Sequence, residues 1–113
     1  MSPNDRYRLR HMAEAAEAAL QFVQGRRRED LDHDRQLVMA LTRAVEIVGE
    51  AATQVSAAGR TELPDIPWAQ ITGMRNRLVH AYFDVDLDIL WDTVELALPP
   101  LLAKLQRALK DNQ

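Results

Sequence analysis

Two apolar stripes at helical spacing constrain this chain more than anything else in it. The first runs through Leu9, Met12, Ala13, Ala16, Ala19, Leu20 and Val23. The second runs through Leu37, Leu41, Ala44, Val45, Val48, Ala51, Ala52 and Val55. Steps of three and four put each set on one side of a helix with 3.6 residues per turn. Ser2-Pro3 reads as an N-cap followed by proline at the first helical position. Gly25 ends the first helix, and Gly59 stops the second as a C′ residue. Between them Arg26 to Asp32 is a charged connection, with a new cap at Asp30 or Asp32. Two such helices fill about half the chain and predict an antiparallel hairpin.

The C-terminal half is read in shorter pieces. Thr61 to Pro67 is a loop punctuated by Pro64 and Pro67. Asp65 is a candidate cap for a third helix that opens at Pro67-Trp68 and runs through Ile71, Met74, Leu78 and Val79 to about His80 or Tyr82. Asp84-Val85-Asp86 then caps a fourth, carrying Leu87, Leu90, Trp91, Val94 and Leu98. Pro99-Pro100 breaks or kinks the pattern before Leu101, Leu102, Leu105 and Leu109 continue it. Nothing alternates with period two for long enough to predict a strand. The expectation is an all-α bundle of four to five helices: a long antiparallel hairpin, a motif helix and C-terminal helices. At 113 residues it is expected to be one domain, 1–113.

Composition removes several function classes. There is no cysteine, so disulfides, thiolate metal sites and cysteine nucleophiles are excluded. The polar start Met1-Ser2-Pro3-Asn4-Asp5-Arg6 leads into no apolar signal core, and no apolar run approaches the ~20 residues of a membrane span. The expected location is therefore the cytoplasm, with no membrane partner. A net charge of −3 argues against coating nucleic acid by bulk electrostatics. A local cationic site remains open, since twelve of the fourteen cations are Arg, whose planar fork suits phosphate.

Chemistry concentrates in Gly73-Met74-Arg75-Asn76-Arg77-Leu78-Val79-His80-Ala81-Tyr82-Phe83. On a regular helix the step from Arg75 to His80 rises about 7.5 Å and turns about 140°, while Asn76 and His80 share a face. One copy makes a loose site; two copies facing across a two-fold axis make a compact one. An Arg with a His suits RNA cleavage without a metal. The imidazole can take a proton from a 2′-hydroxyl or give one to the leaving 5′-oxygen, and the guanidinium can neutralise charge on the attacked phosphate. The spacing alone is common, and a lone His and Arg on a helix are usually solvated or paired.

The whole pattern is more specific. Arg75, His80 and Tyr82 form an R-x4-H-x-Y motif, with a polar Asn76 after the Arg. Glu46-Ile47-Val48-Gly49-Glu50-Ala51 precedes it, Leu63-Pro64-Asp65-Ile66-Pro67-Trp68 leads into it, and Asp84 to Val94 follows. In this order and spacing the sequence resembles the HepT-like branch of the HEPN superfamily along nearly its full length. The resemblance implies a helical homodimer whose motif helices meet near the interface. It also implies a metal-independent ribonuclease without a cofactor, the toxin of a type VII-like toxin–antitoxin pair. The implied partner is a nucleotidyltransferase antitoxin of the MntA type, which attaches AMP to the motif tyrosine. Carried over, Arg75 and His80 are the catalytic pair, Asn76 and Glu50 support them, and Tyr82 is the modification site. The rival reading is a non-catalytic module that docks a nucleotidyltransferase or a nucleotide.

The remaining candidates carry two readings each. Glu46 and Glu50, one turn apart, could bind metal or orient Arg75, or form a buried ion pair with an Arg of the motif helix. Gly49 between them suggests close approach of another helix, since glycine inside a helix costs about 1 kcal/mol against alanine. Arg26-Arg27-Arg28 could lead RNA toward the site, or could be a solvated charged loop. His33, flanked by aspartates, has no second His at ligand spacing. Arg77 has no assigned role. Trp68 and Trp91 fit core or dimer contacts, and Met12, Met39 and Met74 fit core or interface.

Overall fold

The computed structural model describes residues 1–81 and 84–111, with residues 79–81 as backbone only. Its first helix, α1 (Pro3–Phe22), begins as the sequence predicts: the Ser2 hydroxyl accepts the Asp5 N–H at 3.1 Å, and Pro3 opens the first turn. Gly25 lies just beyond the last turn with φ +70°, a left-handed conformation that favours glycine. The charged connection contains a 3₁₀ turn, Arg28–Asp32.

Helix α2 (Arg35–Thr53) is capped by Asp34, whose carboxylate accepts the Leu37 N–H at 3.0 Å, and not by Asp30 or Asp32. Both rivals lie inside the 3₁₀ turn, ahead of the position that directly precedes α2. Asp30 accepts from the Arg27 N–H at 2.7 Å and from Arg26 Nε at 3.3 Å, while Asp32 takes Arg28 at 3.1 Å. The expected hairpin is present and antiparallel. Asp5 at the start of α1 accepts from Ser56, just past the end of α2: the N–H at 2.9 Å and the hydroxyl at 2.6 Å.

Gly59 does not stop α2. It lies inside a separate short helix, α3 (Ala57–Glu62), capped by the Ser56 hydroxyl. Its φ is not positive; what requires glycine is space, because a Cβ would stand 2.5 Å from Asp5 Oδ2 and 3.0 Å from Val55 Cγ1. Arg60 bonds back to the Ala52 and Thr53 carbonyls at 3.4 and 3.3 Å, supplying donors that the end of α2 lacks.

The third predicted helix is two short ones, α4 (Trp68–Thr72) and α5 (Met74–Leu78), with a jog at Gly73. Pro67 occupies the cap position, not Asp65, whose carbonyl instead accepts Lys104 Nζ at 2.8 Å. Gly49 behaves as expected: a Cβ there would lie 3.3 Å from the Ile71 carbonyl oxygen, so its absence lets α4 sit close on α2.

The sequence reading extends the motif helix to His80 or Tyr82 and predicts no strand. The structure ends it at Leu78 and forms a small antiparallel ribbon, β1 (Val79–Ala81) with β2 (Asp84–Val85), pairing Val79 with Val85. β-Branched residues are stiff in helices and suit the pleated backbone. The Asp86 N–H then closes the turn on the Leu78 carbonyl at 2.6 Å.

Helix α6 (Leu87–Asp92) is capped by Asp86, the last residue of the turn expected to cap it, through the Ile89 N–H at 3.0 Å. A π-helical turn, Thr93–Ala97, joins it to α7 (Leu98–Asp111). Pro99 and Pro100 therefore do not end the helix. They lack N–H groups, so carbonyls one turn earlier lose their usual donors; the wider turn, with the Leu98 N–H reaching the Thr93 oxygen, absorbs that mismatch.

The architecture is all-α apart from the ribbon. α1 packs against α2 and α7, while α4 and α5 lie on another side of α2. Leu9, Met12, Leu41, Val45, Leu90, Leu98 and Leu105 are fully buried at the centre. Met12 and Met74 are core, whereas Met39 is exposed. Trp68 and Trp91 pack partly buried on the core edge. Among the described residues no helix is long and apolar enough to cross a membrane.

Candidate active site

The site is built where α5 crosses α2. Met74 and Leu78, four apart, are buried and anchor α5, so the residues between them turn outward. Arg75, Asn76 and Arg77 are all exposed. Arg75 Nε donates to Glu46 Oε2 of α2 at 3.2 Å; the arginine side chain is 51% exposed and the glutamate 24%. The guanidinium is thus held at one edge and open at the other. Because Glu46 is partly desolvated by the packing around it, the pair is better fixed than two freely solvated side chains.

Glu50 is not brought to Arg75. It points along the exposed face of α2 and pairs with Arg43 at 3.6 Å. Of the two carboxylates, Glu46 makes the ion pair with the motif helix. Arg77 gains a structural role: its Nη2 donates to the Gln70 carbonyl at 3.2 Å, bridging the jog between α4 and α5. Thr42, one turn from Glu46 on α2, keeps a buried hydroxyl without a hydrogen-bond partner among the described residues.

His80 lies in β1, not on the helix, so the helical ruler from Arg75 does not apply to it and it shares no helix face with Asn76. Its side chain is outside the described set, and Tyr82 lies outside the described residues.

The arginine-rich connection is tied up in ion pairs. Arg26 meets Asp34 at 2.7 Å, and Arg28 meets Asp88 at 2.6 Å. These contacts raise both guanidinium pKa values above the ordinary one, and the Arg26 bond holds the Asp34 carboxyl low. Asp30 is also held low, chiefly by the Arg27 N–H. The solvated-loop reading, with the cations serving the fold, is the one this geometry favours. His33 is exposed.

Residues 12–108 match the family described as "Ribonuclease HepT-like". The chain belongs to the HepT-like ribonuclease family. It is 37% identical over 102 residues to "Probable ribonuclease HepT" of Thermococcus cleftensis, covering 90% of this chain and 93% of that one. It is 33% identical over 102 residues to "Putative RNase TTE0752" of Caldanaerobacter subterraneus, covering 90% and 91%. A third relative, "Putative RNase MJ1380" of Methanocaldococcus jannaschii, is 30% identical over 93 residues, covering 82% and 85%. No solved structure matches.

The HepT-like match spans the Arg75–Glu46 pair and both flanking blocks. Sequence reasoning missed the surface next to this pair. Arg8 and His11 on α1 and Arg43 on α2 line an open groove of about 790 Å³. These residues form no linear motif. The one signal was the spacing of three between Arg8 and His11, which any solvated helix face shares.

Proposed function

We propose that this HepT-like chain is a metal-independent endoribonuclease, the toxin of a toxin–antitoxin pair, acting in the cytoplasm as a single folded domain. The observation that carries the reading is Arg75: a motif arginine anchored on one edge by Glu46 and exposed on the other. An arginine so placed can receive a phosphate without first being ordered.

In this reading the His80 imidazole removes the proton from a 2′-hydroxyl. The freed oxygen attacks the adjacent phosphorus, and the bond to the 5′-oxygen breaks. A protonated His80, from the second copy, returns a proton to that leaving oxygen. The products are a 2′,3′-cyclic phosphate and a 5′-hydroxyl, and proton count balances between the two histidines. Arg75 neutralises the charge that builds on the phosphate oxygens. Asn76, exposed beside Arg75, offers a further donor to the backbone. Glu50 would act at one remove, by holding Arg43.

The two histidine roles call for a homodimer. Tyr82, two residues past His80, is the proposed control point. AMP attached there by a nucleotidyltransferase antitoxin would place a bulky anion beside the site and repel RNA phosphate.

Induced expression of wild type and His80→Ala, each with and without the neighbouring gene, tests this. Growth arrest by wild type alone, relieved by the mutation or by the neighbour, is expected. Full toxicity of His80→Ala would overturn the mechanism. Harmless expression of well-folded wild type would favour a non-catalytic docking module. Intact mass after co-expression should show AMP adducts that disappear in Tyr82→Phe.

A further inference from the structure

The groove between the first half of α1 and the second half of α2 lies outside the Arg75–His80–Tyr82 motif. It is lined by Arg8, His11 and Glu14 from one helix and by Arg43, Ile47 and Glu50 from the other. Its size, about 790 Å³, falls in the range of small-ligand sites. Three features point to one kind of occupant.

First, the lining mixes apolar Ala15, Ile47 and Ala51 with side chains of both signs of charge. A phosphate-only site would need donors alone. A site for a base joined to a phosphate needs donors for the phosphate and acceptors for amino groups on the base edge, a role carboxylates fill. Second, the lining residue His11 has an aromatic neighbour, Tyr7, one turn away on α1. The Tyr7 and His11 rings lie 4.2 Å apart at 51°, and the Arg8 guanidinium sits 5.4 Å from the Tyr7 ring centre. Tyr7 is 48% exposed, so its ring is open to solvent. Aromatic faces beside arginine are how unpaired bases are held without sequence demand. Third, the groove adjoins the motif. Arg43 and Glu50 lie three and four residues from Glu46, hence one step along the α2 surface from the carboxylate that holds Arg75. The Arg43–Glu50 pair is long, at 3.6 Å, and more than half exposed on both sides, so it can open to a phosphate at little cost.

We propose that this groove binds single-stranded RNA next to the cleaved bond, with Tyr7 and His11 stacking a base and Arg8 and Arg43 taking phosphates. The proposal rests on the ribonuclease reading and names where its substrate lies. Duplex RNA is disfavoured, because paired bases offer no free face to these rings.

The test uses the full chain and a fluorescent 2′-O-methyl oligonucleotide of about eight nucleotides, which cannot be cleaved through a 2′-hydroxyl. Binding is followed by anisotropy against salt. In the double variant Arg8→Ala/Arg43→Ala two phosphates are no longer neutralised, so the slope of log affinity on log salt should become shallower by about 1.4. Tyr7→Ala/His11→Ala should weaken binding about fivefold or more with the slope unchanged. Arg8→Lys/Arg43→Lys should restore the slope, separating charge from folding. In parallel, cleavage of unmodified RNA by the Arg-to-Ala variant should show raised KM and little change in kcat.

Wild-type cleavage with KM and slope unaltered in the double variant would overturn the groove and leave the ribonuclease reading standing. Groove-dependent binding without any cleavage would overturn the ribonuclease reading, and with it the placement beside a cleaved bond, leaving the groove an RNA-binding site alone. Absence of oligonucleotide binding by wild type would overturn the groove. So would a double variant that loses self-association while binding RNA normally, which would make this face a contact between copies.

Discussion

Asp5 is the residue whose removal should do most damage outside the apolar core. It is 4% exposed and accepts two hydrogen bonds from Ser56, at 2.9 and 2.6 Å, across the open end of the α1–α2 hairpin. Bonds to a charged acceptor contribute about 1.5–3 kcal/mol each. Ser56 is itself exposed, so water can repair part of the loss in Asp5→Ala. The expected cost is about 2–4 kcal/mol, a large share of the ~5–15 kcal/mol that holds a domain of this size. Urea unfolding at neutral pH should show a lower midpoint with an unchanged m value. A second observable fixes the cause. The Ser56 hydroxyl, and after it the Ser56 N–H, hold the Asp5 carboxyl below its ordinary pKa, against the opposing effect of burial. A depressed carboxyl contributes stability that is complete above its unfolded value, near 3.9, and is lost as pH falls through the folded one. The stability gap between wild type and Asp5→Asn should therefore narrow on acidification below about pH 4. A cost under about 0.5 kcal/mol, or a gap independent of pH, would refute the assignment of Asp5 as the charged clasp.

Two further outcomes follow from the same contacts. Gly59→Ala drives a Cβ to 2.5 Å from Asp5 Oδ2 and should cost about 1–3 kcal/mol in urea melts. In an Asp5→Ala background the cost should drop sharply, and additive losses in that double-mutant cycle would disprove the contact. Glu46→Gln should change stability by less than about 1 kcal/mol, because Arg75 is half exposed. It should nonetheless lower kcat for RNA about tenfold by loosening the arginine. Faster cleavage would mean that Glu46 restrains Arg75 instead of aiming it.

What the sequence made legible was set by how local each cause is. The caps at Ser2 and Asp86 need only residues three positions away, and both were readable. Asp34 was missed because three acids compete within five positions, and only the 3₁₀ turn over Arg28–Asp32 decides which one directly precedes the α2 N–H groups. Gly59 was misread because glycine serves two ends. Its left-handed backbone stops helices, and its missing side chain permits close approach; here the deciding neighbour, Asp5, is 54 positions away in the chain. Gly49, flanked by apolar helix on both sides, had no competing reading. At the site, Arg75 and its acid partner were legible as a type of contact, but choosing Glu46 over Glu50 required the crossing of α5 over α2. The groove was not legible at all, since it joins side chains of two helices that the sequence keeps about 35 positions apart.

The early end of the motif helix changes how the site must be held together. Were Arg75 and His80 on one regular helix, a rigid rod would fix their separation. With α5 stopping at Leu78, Arg75 is positioned by α2 through Glu46, and the His80 backbone is positioned by the ribbon through the Val79–Val85 pairing. The two supports meet in the bond from the Asp86 N–H to the Leu78 carbonyl, at 2.6 Å, and Asp86 is also the cap of α6. The register of a ribbon only a few residues long is weakly specified by itself. It is this junction, with α6 anchored in the core by Leu90, that sets where the residue after Val79 can go. Changes in α6 should therefore reach the site through Asp86 without any contact between α6 and RNA.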